Sequence, residues 1–459
     1  MARRGQTKAG GPTKAERRIE SRLERIERAL ATQSERNAEA LTRLTQAGEA
    51  IAAGELAWTA PGAGSPNGEA GEGLDRYLGL RGQNVAPVDQ PLALICQAQR
   101  SGGTLLARLF DGHPQCHAHP HELHIGDRRP HLWPELALAG NPELWFVKLQ
   151  EDRLVLMFDK GRRRIPLKAQ GERPQDSYYP FLLPPSFQRL LFLEEVERRS
   201  PITSERQILD CYMTSLFNAW LDNQNLRGPE KRWVVAFSPR RAWGEGREKL
   251  FELYPDGRLI SILRDPLSWY TSAQGRDPGA PPEALLELWK RSAQEMIEAK
   301  GRYADQVLIV RFDELVRDTE GTMRGLANFL EIDYDPVLTT PTFNGYPVGA
   351  NSSYEVRSTG VVTDPVERYK EILSAEQRKR IEGECEELHK EALGLVERRS
   401  APRRRTSTAG TRSAAKKSST SRKGSTSRKS STTPKGSSAR TGSKRKGTTA
   451  KRSSTSSKR

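Results

Sequence analysis

The sequence predicts an α/β domain, a three-layer sandwich around a central, mostly parallel sheet. Two observations carry this. Four short apolar runs, at 92–96 (LALIC), 233–237 (WVVAF), 259–263 (LISIL) and 307–310 (VLIV), are uniformly hydrophobic, as strands covered on both faces are. Longer helical patterns separate them, which is the alternation that builds a parallel sheet with helices on either side. A chain of 459 residues is long enough for such a core.

The elements follow in order. Residues 1–13 are basic and contain glycine, and are expected to lack structure. Over 14–45, Ile19, Leu23, Ile26 and Leu30 recur at helical spacing among Glu and Arg. That short heptad-like stripe serves either an amphipathic helix docked on its own body or solvated, or a short coiled coil forming a weak homodimer. Residues 1–55 therefore form one segment. The run TAPGAGSPNGEAGEG marks a linker over 56–73. The body is expected over 74–397. Its first strand (92–96) passes through a turn (97–103) into a helix (105–110). A helix over 204–226 has Ser204 as its cap and Glu205 in its first turn. Strands at 233–237 and 259–263, a helix over 281–300, a strand at 307–310, a helix over 314–330 and a helical stretch over 365–395 complete it.

The net charge of +16 is unevenly placed. Residues 398–459 hold 21 Lys or Arg and no Asp or Glu, leaving 53 basic against 58 acidic residues in the rest. The body is mildly acidic, and its pI does not mark it as a nucleic-acid-binding fold. The tail is Ser, Thr, Lys, Arg and Gly with almost nothing apolar, so it is expected to be disordered. Its chemistry suits an anionic partner such as nucleic acid, an acidic polymer or an anionic surface. Cys96, Cys116, Cys211 and Cys385 are too widely spaced for a disulfide framework or a zinc knuckle. Neither a signal peptide nor a membrane span is evident, and a cytoplasmic protein is expected.

Arg100-Ser101-Gly102-Gly103-Thr104-Leu105 lies between the first strand and its helix. Paired glycines permit close approach of the backbone to a ligand, a helix start offers N–H groups, and Arg100 adds charge. These parts suit a phosphate or sulfate. The stretch lacks the length and the lysine of the nucleotide triphosphatase pattern. With Leu109, Phe110, His113 and Pro114 behind it, it resembles the 5′-phosphosulfate loop of the nucleotide-dependent sulfotransferases, with Gly103 in place of the first of two threonines. The resemblance implies a P-loop NTPase-like sulfotransferase fold. It also implies transfer of a sulfuryl group from 3′-phosphoadenosine 5′-phosphosulfate to a hydroxyl, less readily an amine, with no metal.

A second stretch strengthens it. Arg264 ends the run LISIL, and Ser272 follows eight residues later. A guanidinium and a hydroxyl so spaced can meet one anion, and the pair resembles the family's 3′-phosphate signature. The residues from Arg302 to Leu330 also resemble the family, and the likeness spans about 90–396. It implies donor binding by Arg100, Ser101, Gly102, Gly103, Thr104, Leu105, Arg264 and Ser272. Arg100 also neutralises charge in the reaction.

For the base, the loop after the first helix reads His117-Ala118-His119-Pro120-His121-Glu122-Leu123-His124. It lacks the His-Glu-x-x-His spacing of a helical zinc site, and Pro120 would interrupt a helix. By the resemblance, Glu122 lies close to the place of a catalytic glutamate in sulfotransferases acting on carbohydrate or protein tyrosine. His121 and His119 are rivals, and Glu194 and Glu195 a further reserve. The bacterial branch often carries Glu-Lys-Thr-Pro before the second signature. Here Phe237 replaces that lysine, and positive charge returns only at Arg240 and Arg241. Acceptor contacts are expected from the loops 166–203 and 340–357, whose aromatics (Tyr178, Tyr179, Phe181, Phe343, Tyr346 and Tyr354) serve either an acceptor or packing. The acceptor class expected is a carbohydrate, lipid or small molecule. The alternatives are another nucleotide enzyme and a nucleic-acid-associated protein acting through its tail on an inactive scaffold.

Overall fold

The computed structural model describes residues 70–126, 132–163, 178–349 and 360–396. All lie within residues 1–403, one of two units into which the chain divides. The expected N-terminal helix, most of the linker, Tyr354 and the basic tail lie outside the described residues.

In chain order the elements are α1 (Ala70–Gln83), β1 (Leu92–Ile95), α2 (Gly103–Leu109), β2 (Cys116–Glu122), α3 (Pro142–Leu149) and α4 (Asp152–Lys160). A hairpin of β3 (Arg162–Arg163) and β4 (Tyr178–Tyr179) leads to α5 (Pro185–Arg198), α6 (Glu205–Ala219), β5 (Trp233–Phe237), α7 (Glu245–Leu253) and β6 (Arg258–Leu263). Then come α8 (Pro266–Arg276), α9 (Pro282–Arg302), β7 (Val307–Arg311), α10 (Phe312–Arg317) and α11 (Thr319–Phe329). A hairpin of β8 (Thr342–Phe343) and β9 (Tyr346–Pro347) precedes α12 (Tyr369–Ile372) and α13 (Ala375–Gly394).

Five parallel strands form the sheet in the order β2-β5-β1-β6-β7. Alternate residues face opposite layers. Leu92, Leu94, Val234, Ala236 and Leu259 pack with Ile208, Tyr212 and Leu216 of α6 and Leu250 of α7. Ala93, Ile95, Val235, Phe237, Ile260 and Ile262 pack with Leu106 and Leu109 of α2 and with α10 and α11. Both faces are covered, which is why the central strands are almost wholly apolar, with buried Ser261 of β6 donating to the Cys96 carbonyl at 2.8 Å. Each fully buried Leu or Ile contributes about 1.5–3 kcal/mol of transfer free energy. The chain leaves β1 through α2 towards β2 on one side, and β6 and β7 extend the other. The carboxyl end of β1 is thus the point where connections diverge, where open α/β sheets keep their ligands.

Several expectations need correcting. Helix α1 starts at Ala70, inside the expected linker. The Ser204-capped helix ends at Ala219 rather than 226, because Trp220 leaves helical geometry to join Phe181 and Phe343 in an aromatic cluster. The helix expected over 314–330 is two, divided at Asp318, whose carboxylate accepts from Gly321 N at 3.0 Å and starts a new helix. Residues 185–198 within the expected acceptor loop are helical. The His-rich segment is edge strand β2, not a loop. Its alternating histidines are a period-two pattern, and Pro120 sits where the register shifts between Ala118 and Glu122.

Candidate active site

The loop after β1 is pinned from several sides. Arg100 takes a left-handed φ of 72° and Gly102 one of 103°. For a non-glycine residue that backbone is costly and persists where its surroundings enforce it. A Cβ on Gly102 would stand 2.7 Å from the Phe312 ring. One on Gly103 would stand 2.2 Å from the Phe237 ring. The chain therefore passes between two aromatic walls that admit only backbone. First-turn N–H groups of a helix have no acceptor within it, and here they begin at Gly103. Leu105 packs its side chain against the core, so only its backbone belongs to the loop.

The second stretch comes to the same place. Arg264 Nη1 donates to the Arg100 carbonyl at 2.6 Å, Nε to Ser268 Oγ at 2.8 Å and Nη2 to the Pro365 carbonyl at 3.1 Å. Its guanidinium lies 4.1 Å from the Phe312 ring centroid. Ser272 Oγ accepts from Arg100 Nε at 3.3 Å. Arg264 and Ser272 thus both meet Arg100, one through its backbone and one through its side chain. Trp269 Nε1 also holds the Gln99 carbonyl at 2.9 Å. Burial and the neighbouring Arg276 push Arg100 down to about 10, against the opposing pull of Glu122.

Beside the loop is a cavity of about 70 Å³ lined by Thr104, Ala107, Arg108, His121, Glu122, Arg162 and Phe237. Glu122 ends β2 opposite Phe237 at the end of β5, on the carboxyl edge of the sheet. Its carboxylate meets His124 Nε2 at 3.3 Å and is half-buried. His121 lies in the wall, its Nδ1 buried without a partner among the described residues. Burial and the Arg162 and Arg108 charges hold it well below the ordinary histidine value. It is therefore neutral near pH 7.

His119 faces elsewhere. Its Nδ1 meets the His121 carbonyl at 2.7 Å and its Nε2 meets Glu151 Oε1 at 3.0 Å. Glu151 also accepts from Tyr212 Oη and His124 N. Burial raises the Glu151 pKa, but His119 and these bonds outweigh it and leave the group below the usual carboxylate range. With both ring nitrogens engaged, His119 is a strut. Glu195 is held by Arg198 and Arg199, and Glu194 is exposed on α5, so neither joins the cavity. Arg241 does not replace a missing active-site cation. It is fully buried and donates to the carbonyls of Leu123, Ile125 and Leu132 and to Ser238 Oγ, which fixes the chain beyond Glu122. Phe181 and Phe343 are core residues, whereas Tyr179 and Tyr346 stack at 4.8 Å on partly exposed hairpins.

Sequence reasoning missed Arg108 and Arg162. Arg108 carried a signal, a lone charge inside the apolar run from Leu105 to Phe110. Arg162 carried none, being one arginine of three in a row.

A model described as the sulfotransferase family matches residues 91–336. The chain belongs to that family. No curated protein matches this sulfotransferase sequence. Among solved structures it is similar to the sulfotransferase domain of the Synechococcus PCC 7002 olefin synthase. Identity there is 19% over 67% of this chain and 95% of that one, with a TM-score of 0.41. A sulfotransferase from Alicyclobacillus acidocaldarius is 19% identical over 55% and 89%, TM-score 0.29. Mouse sulfotransferase SULT7A1, complexed with PAP, is 13% identical over 68% and 89%, TM-score 0.30. Among the described residues no helix is long and apolar enough to cross a membrane.

Proposed function

We propose that this family member moves a sulfuryl group from 3′-phosphoadenosine 5′-phosphosulfate to a hydroxyl acceptor. The observation that carries the reading is the joining of two distant segments at Arg100, whose carbonyl accepts from Arg264 and whose guanidinium bonds Ser272. Gly102 and Gly103 let the loop pass between the Phe312 and Phe237 rings, and the helix start that follows offers the backbone N–H groups that would grip the donor.

When bound, the donor supplies the sulfuryl group and leaves as the bisphosphate. The chain's residues hold it and manage one proton. The backbone N–H groups from Gly102 to Thr104 and the Arg100 guanidinium face the charge that develops on the departing phosphate. Arg264, with Ser268 and Ser272 beside it, takes the 3′-phosphate end. Recognition there exchanges the Pro365 carbonyl for phosphate oxygen. Glu122 removes the acceptor's proton, a role supported by its place on the cavity wall beside Thr104 of the loop. His121 is the alternative base.

Titration calorimetry with adenosine 3′,5′-bisphosphate and with AMP tests the reading. A clear preference for the bisphosphate is expected, and equal affinity would sink the donor assignment. The basic tail is proposed as a separable polycation. A chain ending at Val396 is expected to keep bisphosphate binding and to lose any salt-sensitive affinity for polyanions.

A further inference from the structure

The cavity beside Glu122 contains more positive charge than proton removal requires. Arg108 and Arg162 both line it, from α2 and β3, Arg108 buried and Arg162 partly buried. The Nε atom of each lacks a partner among the described residues. Both guanidiniums flank one ring, Phe343, at 5.1 and 5.7 Å from its centroid. Arg108 also donates to the Pro120 carbonyl, which fixes its position in the wall.

Two guanidiniums largely withdrawn from water side by side are costly without compensation. Among the described residues, two carboxylates, Glu122 and Asp111, face three guanidiniums, Arg100, Arg108 and Arg162. Glu122 is shared with Arg100 and bonded to His124. Asp111 lies near Arg108, but its Oδ2 accepts from Thr342 Oγ1 at 2.7 Å and Gly345 N at 3.0 Å. The pair also repel each other, and burial with that repulsion pushes Arg162 down to about 9. His121 and Thr104, the other polar groups in the wall, are neutral and contribute no negative charge. The wall is therefore a preformed anion subsite one helical turn beyond Thr104.

We infer that Arg108 and Arg162 bind a carboxylate, phosphate or sulfate on the acceptor itself, so that the substrate is an anionic hydroxy compound presented to Glu122. The inference rests on the sulfotransferase reading and names its substrate class. Phe343 and the Tyr179–Tyr346 stack border the same hairpins, and Arg162 pairs with Tyr179 across β3 and β4, so the two side chains share one face.

The experiment uses the full chain saturated with adenosine 3′,5′-bisphosphate, which fills the donor side. Glucose, glucuronate and glucose 6-phosphate are then titrated as probes, followed by melting temperature and by calorimetry. Either anionic sugar is expected to bind at least about tenfold tighter than glucose, the scale of one charge-assisted contact. The preference for a carboxylate over a phosphate distinguishes the two anion sources. Arg162→Gln is expected to abolish the difference and Arg162→Lys to restore part of it. Arg108→Gln serves as a second variant, and circular dichroism reports whether each variant is folded. Equal binding of all three sugars, no binding of any, or an anion preference that survives in folded Arg162→Gln and Arg108→Gln overturns the inference. In those cases intact bisphosphate binding leaves the sulfotransferase reading standing. Failure to bind the bisphosphate at all removes both.

Discussion

A Cβ on Gly103 would stand 2.2 Å from Cε2 of the Phe237 ring, so the residue that follows the left-handed Gly102 and the residue that ends β5 occupy one shared volume. Two departures read from the resemblance, glycine for the first threonine at 103 and phenylalanine for the lysine often carried by the bacterial branch at 237, thus meet in one place. A large ring at 237 requires no side chain at 103.

That coupling is testable by a double-mutant cycle. Gly103→Thr forces the ring or the loop aside and is expected to destabilise by about 1–3 kcal/mol, the usual cost of overpacking. Phe237→Ala leaves a cavity and is expected to cost about 3–5 kcal/mol. In the double variant the threonine enters the vacated space, so the combined loss should fall well short of additive. Urea denaturation of the four proteins measures it. Strict additivity would show the two positions to be independent.

Arg264 braces the loop as well as carrying charge, through the Arg100 and Pro365 carbonyls. Arg264→Ala is therefore expected to weaken bisphosphate affinity more than Ser272→Ala, because a charged donor is worth about 1.5–3 kcal/mol and a neutral one about 1 kcal/mol. Arg264→Lys should recover only part, since an ammonium lacks the fork that reaches several acceptors. Calorimetry decides this, and a larger loss in Ser272→Ala contradicts it.

The parts of this architecture that follow from local pattern were legible in the sequence. Strand β5 occupies the expected residues, and Ser204 caps α6 as its hydroxyl chemistry dictates, accepting from Gln207 N at 3.3 Å. The loop at Arg100 and the pair Arg264 and Ser272 are identified by their resemblance to two family signatures, and the structure brings the three residues together. What the sequence hid depends on long-range contacts. His119 reads like a candidate base until Glu151, 32 residues away, takes its ring. Arg241 reads like a spare cation until three carbonyls of the segment beyond Glu122 surround it. Arg162 reaches the cavity only because a two-residue hairpin strand carries it there.

His117 makes a pH prediction. Its ring packs 4.9 Å from Phe217, its Nδ1 is buried without a partner among the described residues, and burial with the Lys231 charge pushes it down to about 3. The unfolded chain takes up this proton near pH 6.5, while the folded chain resists it. The stabilising contribution is complete above about pH 6.5 and is lost as pH falls towards 3. The expected slope from this group is about 1.4 kcal/mol per pH unit within that window. His117→Phe should flatten the dependence of stability on pH between 4 and 6, measured by urea midpoints at about half-unit steps. An unchanged slope would show that His117 is not the group responsible.

Glu122 carries the prediction on which the chemistry turns. It closes β2 beside Phe237, shares the cavity wall with Thr104 of the anion loop, and has the Arg100, Arg108 and Arg162 charges around it. On the proposed role of Glu122 as base, Glu122→Gln, which keeps the shape of the side chain, is expected to lower turnover about 10²–10⁴-fold. Bisphosphate affinity should hardly change, because the proposal places Glu122 at the acceptor and not at the donor phosphates. His121→Ala separates the rival, as a neutral imidazole in the same wall could accept the proton instead. His119→Ala behaves differently again. It leaves Glu151 buried without its main partner and is expected to cost about 3–5 kcal/mol in stability, with turnover per folded molecule preserved. Rates and bisphosphate affinities of the three variants distinguish these roles. Normal turnover in Glu122→Gln together with its loss in His121→Ala would transfer the base to the histidine.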